Sequence, residues 1–348
     1  MSNATHPKIY QSGNFFQKKK YKYLSEYNFG RGINIFGKSK DQKGKQGEYY
    51  AHLLDIKDKA QNFLTPDILI EVEKRFQSKA GDLPRVLTNT AASQACCFNL
   101  FVPLKNNLEL ANKLFSSLMG KLISIDEIII EFTPNKSESI GDQGKFQGTD
   151  ADVGIFYKYD TNKKGVLLLE FKYIEAEFSY CSSYKSKSKR KHIKELCDSQ
   201  EYYAKLITPN IKSNNKSPLC GYLKYDNWQL TESSTAFNPE AIKQNNCCPF
   251  RFSLQQLWRN MLLAENVCRA RGLDEFNFWV ISPYENEHLW NNANENVEDN
   301  FRSILSDIGN NSFKRIALEN DIIRFIEKHE LTKELLEWLN NFKKRYIE

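Results

Sequence analysis

The chain has 348 residues, 41% of them hydrophobic, which is enough to bury one large core or two small ones. No apolar run approaches the roughly 18 residues that a membrane span requires, and the N-terminus lacks the apolar stretch of a secretion signal. The reading therefore excludes a membrane protein and expects a cytoplasmic one. Net charge is +6, and residues 1–50 carry ten Lys/Arg against three acidic residues, a surplus of seven that suits a polyanionic partner.

Residues 1–45 read as a basic, partly flexible arm. Tyr10, Phe15, Phe16, Tyr21 and Tyr23 are interleaved there with lysines that include Lys18, Lys19 and Lys20, a mixture suited to phosphate contact and base stacking. Gln46 to Phe63 reads as a helix, with Tyr50, Leu53 and Leu54 on one face. Thr65-Pro66 starts a second helix, which carries Ile68, Leu69, Val72 and Phe76 and stops near Gly81. Asn89 or Thr90 caps a third through Phe101, and a fourth runs from about Leu108 to Leu122. A strand follows at Ile128 to Phe132, then a polar loop to Gly148.

Beyond the centre of the chain, Lys185, Lys187, Lys189, Arg190, Lys191 and Lys194 form a second basic run, separated in places by serines. It reads as a loop placed to grip a nucleic-acid backbone. Ile193 to Ile207 looks helical. Residues 209–248 read as an irregular insertion, with a strand at Leu219 to Tyr225. Ser253 is the expected cap of an amphipathic helix with Leu254, Leu257, Trp258, Met261, Leu262 and Val267 inward and Gly272 at its end. A strand at 276–281 and helices at about 319–328 and 332–346 finish the chain. The expected organisation is the arm at 1–45, a domain at 46–290 and a helical extension at 291–348 packed on it. The eight cysteines show no C-x-x-C spacing, so free thiols are expected.

The stretch from Thr149 to Tyr173 organises the rest. Asp152 opens one apolar strand, Glu170-Phe171-Lys172 closes another, and Asp160 to Gly165 is polar as a hairpin turn requires. Opposed residues of an antiparallel pair share a face. With Asp152 opposite Lys172, the hairpin centres on Asn162. Asp152, Glu170 and Lys172 then share one face, while Val153, Ile155, Tyr157, Leu167, Leu169 and Phe171 share the other. Phe156 and Leu168 on the charged face imply that it is only partly wet.

Two carboxylates and one ammonium in one place suit phosphodiester hydrolysis. The anionic ester repels hydroxide, and a hard dication such as Mg²⁺ (or Mn²⁺) held by carboxylate oxygens offsets that repulsion and acidifies water. Asp152 and Glu170 supply two ligands and the Phe171 carbonyl a third. Lys172 holds the attacking water or neutralises developing charge. An edge hairpin with a surface ion pair between Glu170 and Lys172 is the plainer alternative. Acid-x-Lys also occurs at Asp41-Gln42-Lys43 and Asp55-Ile56-Lys57, but neither closes an apolar strand behind an Asp-led partner.

The Asp152 and Glu170-x-Lys172 arrangement resembles the signature of the PD-(D/E)xK nuclease superfamily. Further stretches resemble an uncharacterised bacterial restriction-endonuclease-like group within it: Ser93-Gln94, Cys97 to Phe101, Glu131, Gln256-Leu257-Trp258-Arg259-Asn260, and Val280-Ile281-Ser282-Pro283. The resemblance covers roughly residues 85–290 and implies an α/β fold with a restriction-endonuclease-like core: a central mixed β-sheet flanked by helices, with helices added at both ends. It implies Asp152, Glu170 and Lys172 in the catalytic positions. Glu131 becomes a candidate third carboxylate and metal ligand, although relatives usually carry that acid on a helix, where Gln94 and Asn99 stand here. Asp150 is a possible substitute for Asp152. Gln256 and Arg259 occupy the place where relatives touch the scissile phosphate. The expected function is a Mg²⁺-dependent DNA endonuclease of restriction or repair type, with a homodimer as one way to cut both strands. The alternatives are a non-catalytic nucleic-acid-binding protein on the same fold, or a nuclease acting on RNA or branched DNA.

Overall fold

A computed structural model describes residues 7–40, 46–77, 83–142, 148–181, 184, 194–195, 197–200, 227–292 and 295–347. Lys187, Lys189, Arg190 and Lys191, the expected strand at 219–225 and most of the expected helix at 193–207 lie outside them.

Helix α1 spans Phe15–Gly30, within what was expected to be a basic, partly flexible arm. Asn14 and Gln17 close a capping box, each side chain taking the other's backbone N–H at 2.9 and 3.0 Å. The helix buries Phe16, Lys20, Leu24 and Asn28 against the body of the protein. The expected helix from Gln46 is instead strand β2, Gln46–Leu54, paired antiparallel with β1, Phe36–Lys40, and followed by a 3₁₀ turn at Ile56–Asn62. Tyr50, Leu53 and Leu54 matched the helical spacing, but Gly47 and two adjacent tyrosines favour an extended chain once a partner strand is present. Helices α2 (Pro66–Gln77), α3 (Ser93–Asn106) and α4 (Leu108–Met119) follow the expected order. Helix α3 starts later than expected: Asn89 instead accepts the Ala91 N–H at 2.9 Å.

The central sheet has the order β3 (Ile123–Phe132), β4 (Ala151–Tyr159), β5 (Lys163–Phe171), β6 (Glu275–Ser282) and β7 (Phe313–Ala317). The first three strands are antiparallel neighbours, and β5, β6 and β7 run parallel. A parallel pair needs a crossover, and helix α5, Leu254–Arg271, is the longest described element of the one between β5 and β6. It ends at Gly272, whose φ of 62° is the left-handed value that glycine adopts freely. Ser253 makes no capping bond; its hydroxyl accepts from Asn292 at 2.9 Å. Strand β7 interrupts what was expected to be a purely helical tail. The segment expected as a helix at 319–328 is a π-helical turn, Leu318–Ile323, running into Arg324–Glu327. Helix α6, Lys333–Tyr346, closes the described chain, with Thr332 accepting the Leu335 N–H at its start.

Both faces of the sheet are covered. Val153, Ile155, Tyr157, Leu167, Leu169 and Phe171 pack with α2, α3, α4 and α6. Phe156, Val166 and Leu168 pack with Leu257, Trp258 and Met261 of α5 and with Phe278 and Val280 of β6. The second face was expected to be partly wet; α5 lies on it instead. The fold is thus the mixed sheet between helical layers that the resemblance implied.

Candidate active site

The β4–β5 ladder pairs Val153 with Leu169 and Tyr159 with Lys163, so the hairpin centres on Thr161 and Asp152 falls across from Glu170. This is two residues from the expected register. A shift of two keeps every side chain on its face, so the expected clustering survives the error. Beyond Val153 the backbone pairing gives way: the Asp152 carboxylate accepts the Phe171 N–H at 2.6 Å. On the other side of β5, the Lys172 N–H bonds the Ile281 carbonyl at 2.9 Å. The end of β5 is thus held between a side chain and a strand.

Lys172 Nζ lies 2.8 Å from Glu170 Oε1. Glu170 is 5% and Lys172 8% exposed, so this is not the surface pair of the plainer alternative. Burial alone would lower the Lys172 pKa, but Glu170, Glu175 and Asp152 outweigh it and the ammonium is raised above its ordinary value. Asp152 is pushed well above the usual carboxylate range by burial, then by Glu170 and Glu131, with Lys172 and the Phe171 N–H pulling the other way. Helix α5 contributes two amides. Gln256 Nε2 donates to Glu170 Oε1 and Asn260 Nδ2 to Glu170 Oε2, both at 2.7 Å.

Glu131 stands near the end of β3 with φ at 56°, a left-handed value that a non-glycine residue holds at a cost of about 1–3 kcal/mol. Arg75 of α2 donates to its carbonyl and, at 2.8 Å, to the Thr133 hydroxyl, which fixes the turn. Burial raises the Glu131 pKa, a Gln94 hydrogen bond and Arg75 lower it, and Asp150 and Glu170 raise it. Its Oε1 is buried with no hydrogen-bond partner among the described residues. The structure therefore brings Glu131 and Gln94 into the electrostatic neighbourhood of Glu170 and Asp152.

Other expected site residues are placed elsewhere. Asn99 is a structural bracket, holding Leu64 N–H, the Asn62 carbonyl and the Tyr346 hydroxyl at 2.8, 3.0 and 2.8 Å. Lys20 is buried, its ammonium on the Tyr346 carbonyl at 2.9 Å, and burial pushes its pKa down; it is not a nucleic-acid contact. Lys18 is exposed, and Lys19 is exposed and paired with Glu285 at 2.7 Å. Both lie close to the exit of β5, because Gln17 donates to the Ile174 carbonyl at 3.0 Å. Arg259 is held by the buried Asp142 at 2.7 Å, and Arg271 by Glu138 at the same distance. Sequence reasoning did not single out Asn260, Arg75 or Asp142. The four-residue spacing of Gln256 and Asn260, which puts both on one face of a helix, was a signal for the first; Arg75 and Asp142 act from distant segments with no local signal.

Among the described residues, no three His, Cys, Asp or Glu side chains are gathered as a ready metal cage. The donor chemistry nevertheless fits a hard dication: oxygen ligands, an unpartnered buried oxygen on Glu131, and an Asp152 whose ionised form burial, Glu170 and Glu131 disfavour. The described cysteines form no disulfide with one another. No described helix is long and apolar enough to cross a membrane.

Residues 34–347 match a family model described as "Restriction Endonuclease associating with ARP". No curated protein matches the chain, and no solved structure does.

Proposed function

The chain belongs to the family described as restriction endonuclease associating with ARP, and from that premise we propose that it is a metal-dependent endonuclease that hydrolyses DNA phosphodiester bonds at the Asp152–Glu170–Lys172 site. The observation that carries the proposal is the buried Glu170–Lys172 pair beside Asp152 at the point where the β4–β5 ladder opens. Taking two charges out of water costs several kcal/mol per ion, which their attraction repays only when the geometry is good and the remaining lone pairs are bonded. This arrangement is consistent with a chemical role for them.

Asp152, Glu170 and the Phe171 carbonyl would hold Mg²⁺ or Mn²⁺, with Glu131 as the third carboxylate. The bound cation would supply acidified water and charge neutralisation at the phosphate. The protein's own groups divide the remaining work. Lys172 stays protonated and presents a positive charge to the attacking water or the pentacovalent phosphorus. Asp152, through the Phe171 N–H, fixes the backbone whose carbonyl is a ligand. Helix α5 screens the site from bulk water on the sheet's second face. Lys18 and Lys19, with the basic run at 185–194, are suited to the phosphate backbone. Cutting both strands would take two sites, which a homodimer on a two-fold axis would provide.

The test is cleavage of supercoiled plasmid and of single-stranded DNA with Mg²⁺ or Mn²⁺, wild type beside Glu170→Ala. Cleavage by wild type alone is expected, with DNA binding retained in the variant. A fully active Glu170→Ala protein sinks the assignment. Binding without cleavage by wild type would instead favour a non-catalytic DNA-binding protein, and cleavage confined to RNA or branched DNA would change the substrate.

A further inference from the structure

Gln256 and Arg259 were expected to touch the scissile phosphate or to form an ordinary polar helix face, but Arg259 is held by Asp142 and it is Asn260 that joins Gln256 on Glu170. The geometry points elsewhere. We propose that they form a two-pronged amide clamp that sets the orientation of the Glu170 carboxylate, and that Asn260 is thereby a positioning residue for the metal; this rests on the nuclease reading above.

The two amides stand one helical turn apart on α5 and reach opposite oxygens of one carboxylate, each at 2.7 Å. Their orientation is fixed. Gln256 Oε1 accepts the Ser179 N–H at 2.9 Å, so its NH₂ end must face Glu170. Turning Asn260 round would set its carbonyl oxygen against the carboxylate, which electrostatics forbids. Asn260 is 3% exposed, so it has no water to fall back on.

Neutral donors do something that Lys172 does not. They stabilise the ionised carboxylate in a dry site without cancelling its charge, so the full negative charge remains for a dication. Three donors, counting Lys172, occupy fewer positions than the roughly four lone-pair directions of a carboxylate, so Glu170 can be clamped and still bind a cation. The clamp also joins the catalytic strand to the loop after it, because Gln256 holds Glu170 and Ser179 together. Partners that orient a metal-binding carboxylate in this way typically control about 10–100-fold in metal affinity.

The experiment is Mn²⁺ titration by calorimetry on full-length protein without DNA, for wild type, Asn260→Leu, Gln256→Met and Glu170→Ala, with melting followed in parallel. Asn260→Leu and Gln256→Met are expected to weaken Mn²⁺ binding by about 10–100-fold while remaining folded. A purely structural role would lower the melting temperature and leave Mn²⁺ affinity where it was, and that result overturns the clamp. If Asn260→Leu does not fold, Gln256→Met, at a half-exposed position, decides alone. Mn²⁺ binding that Glu170→Ala leaves unchanged overturns the metal reading and the clamp with it. Binding lost in Glu170→Ala but kept in both amide variants overturns the clamp alone.

Discussion

Replacing Asp152 by asparagine keeps an oxygen for the Phe171 N–H and removes a charge that burial, Glu170 and Glu131 all disfavour. A carboxyl whose pKa is raised in the folded state gives up its proton less readily there than in the unfolded chain, where it titrates at about pH 3.9. Above that pH the unfolded state therefore gains more from ionisation, and the aspartate's contribution to stability is progressively lost as pH rises toward the folded pKa. An asparagine in its place carries no such penalty. Asp152→Asn is expected to melt a few degrees above wild type at pH 7, to lose that advantage below about pH 4, and to cleave no DNA. Calorimetry at the two pH values checks it; a variant less stable than wild type at pH 7 counts against the electrostatic account. Glu131 carries a second such tension, since its positive φ and its buried oxygen are both unfavourable on local grounds. Unfavourable residues gathered at one place are the usual mark of a site kept for chemistry.

At the scale of elements, the hairpin depends on Gly165 as much as on its apolar residues. Gly165 pairs with Tyr157, and a Cβ there would lie 2.5 Å from the tyrosine ring. The ring cannot step aside, because its hydroxyl donates to Glu275 at 2.5 Å and accepts from Asn277 at 2.9 Å. Gly165→Val is expected to destabilise by about 1–3 kcal/mol, the usual cost of overpacking, read as a lower urea midpoint; an unchanged midpoint would mean the ring is free to move. The hairpin was legible in the sequence because period-2 alternation, a polar turn and charges at strand ends are all local. Its exact register was not, since a two-residue slip leaves both faces unchanged. Strand β2 was hidden for a different reason: its spacing fits a helix, and only the pairing with β1 makes it extended. Strand β7 is short and carries Lys314 and Arg315, so nothing local announces that β6 needs a neighbour. Of the site, Asp152, Glu170 and Lys172 were legible from the strand pattern. The α5 amides that hold Glu170, and Arg75 of α2 and Gln94 of α3 that hold Glu131, depend on the packing of distant segments.

On the scale of the whole molecule, strand β5 leaves the sheet beside α1, and Lys18 and Lys19 are exposed close to that exit. The proposal that DNA crosses this end predicts that Lys18→Ala with Lys19→Ala makes binding less sensitive to salt. For duplex DNA, each lost phosphate contact should make the slope of log affinity against log salt shallower by about 0.9. Binding isotherms across a salt series measure it, and an unaltered slope would move the nucleic acid away from α1.

The buried ammonium of Lys20 has a consequence for how the protein comes into being. It sits on the carbonyl of Tyr346, 326 positions further along the chain, while Arg345 and Tyr346 tie α6 to Asn62 and Asn99. During translation, α1 meets strand β2 soon after both emerge, with Asn28 donating to the Ala51 carbonyl at 2.9 Å, but the seat of Lys20 is completed only after α6 has cleared the ribosome. Closing a loop of that length precedes the reward for the contact. The Lys20 end of the helix therefore waits without its last partner for most of synthesis, and a chaperone that shields incomplete seats has its longest opportunity there.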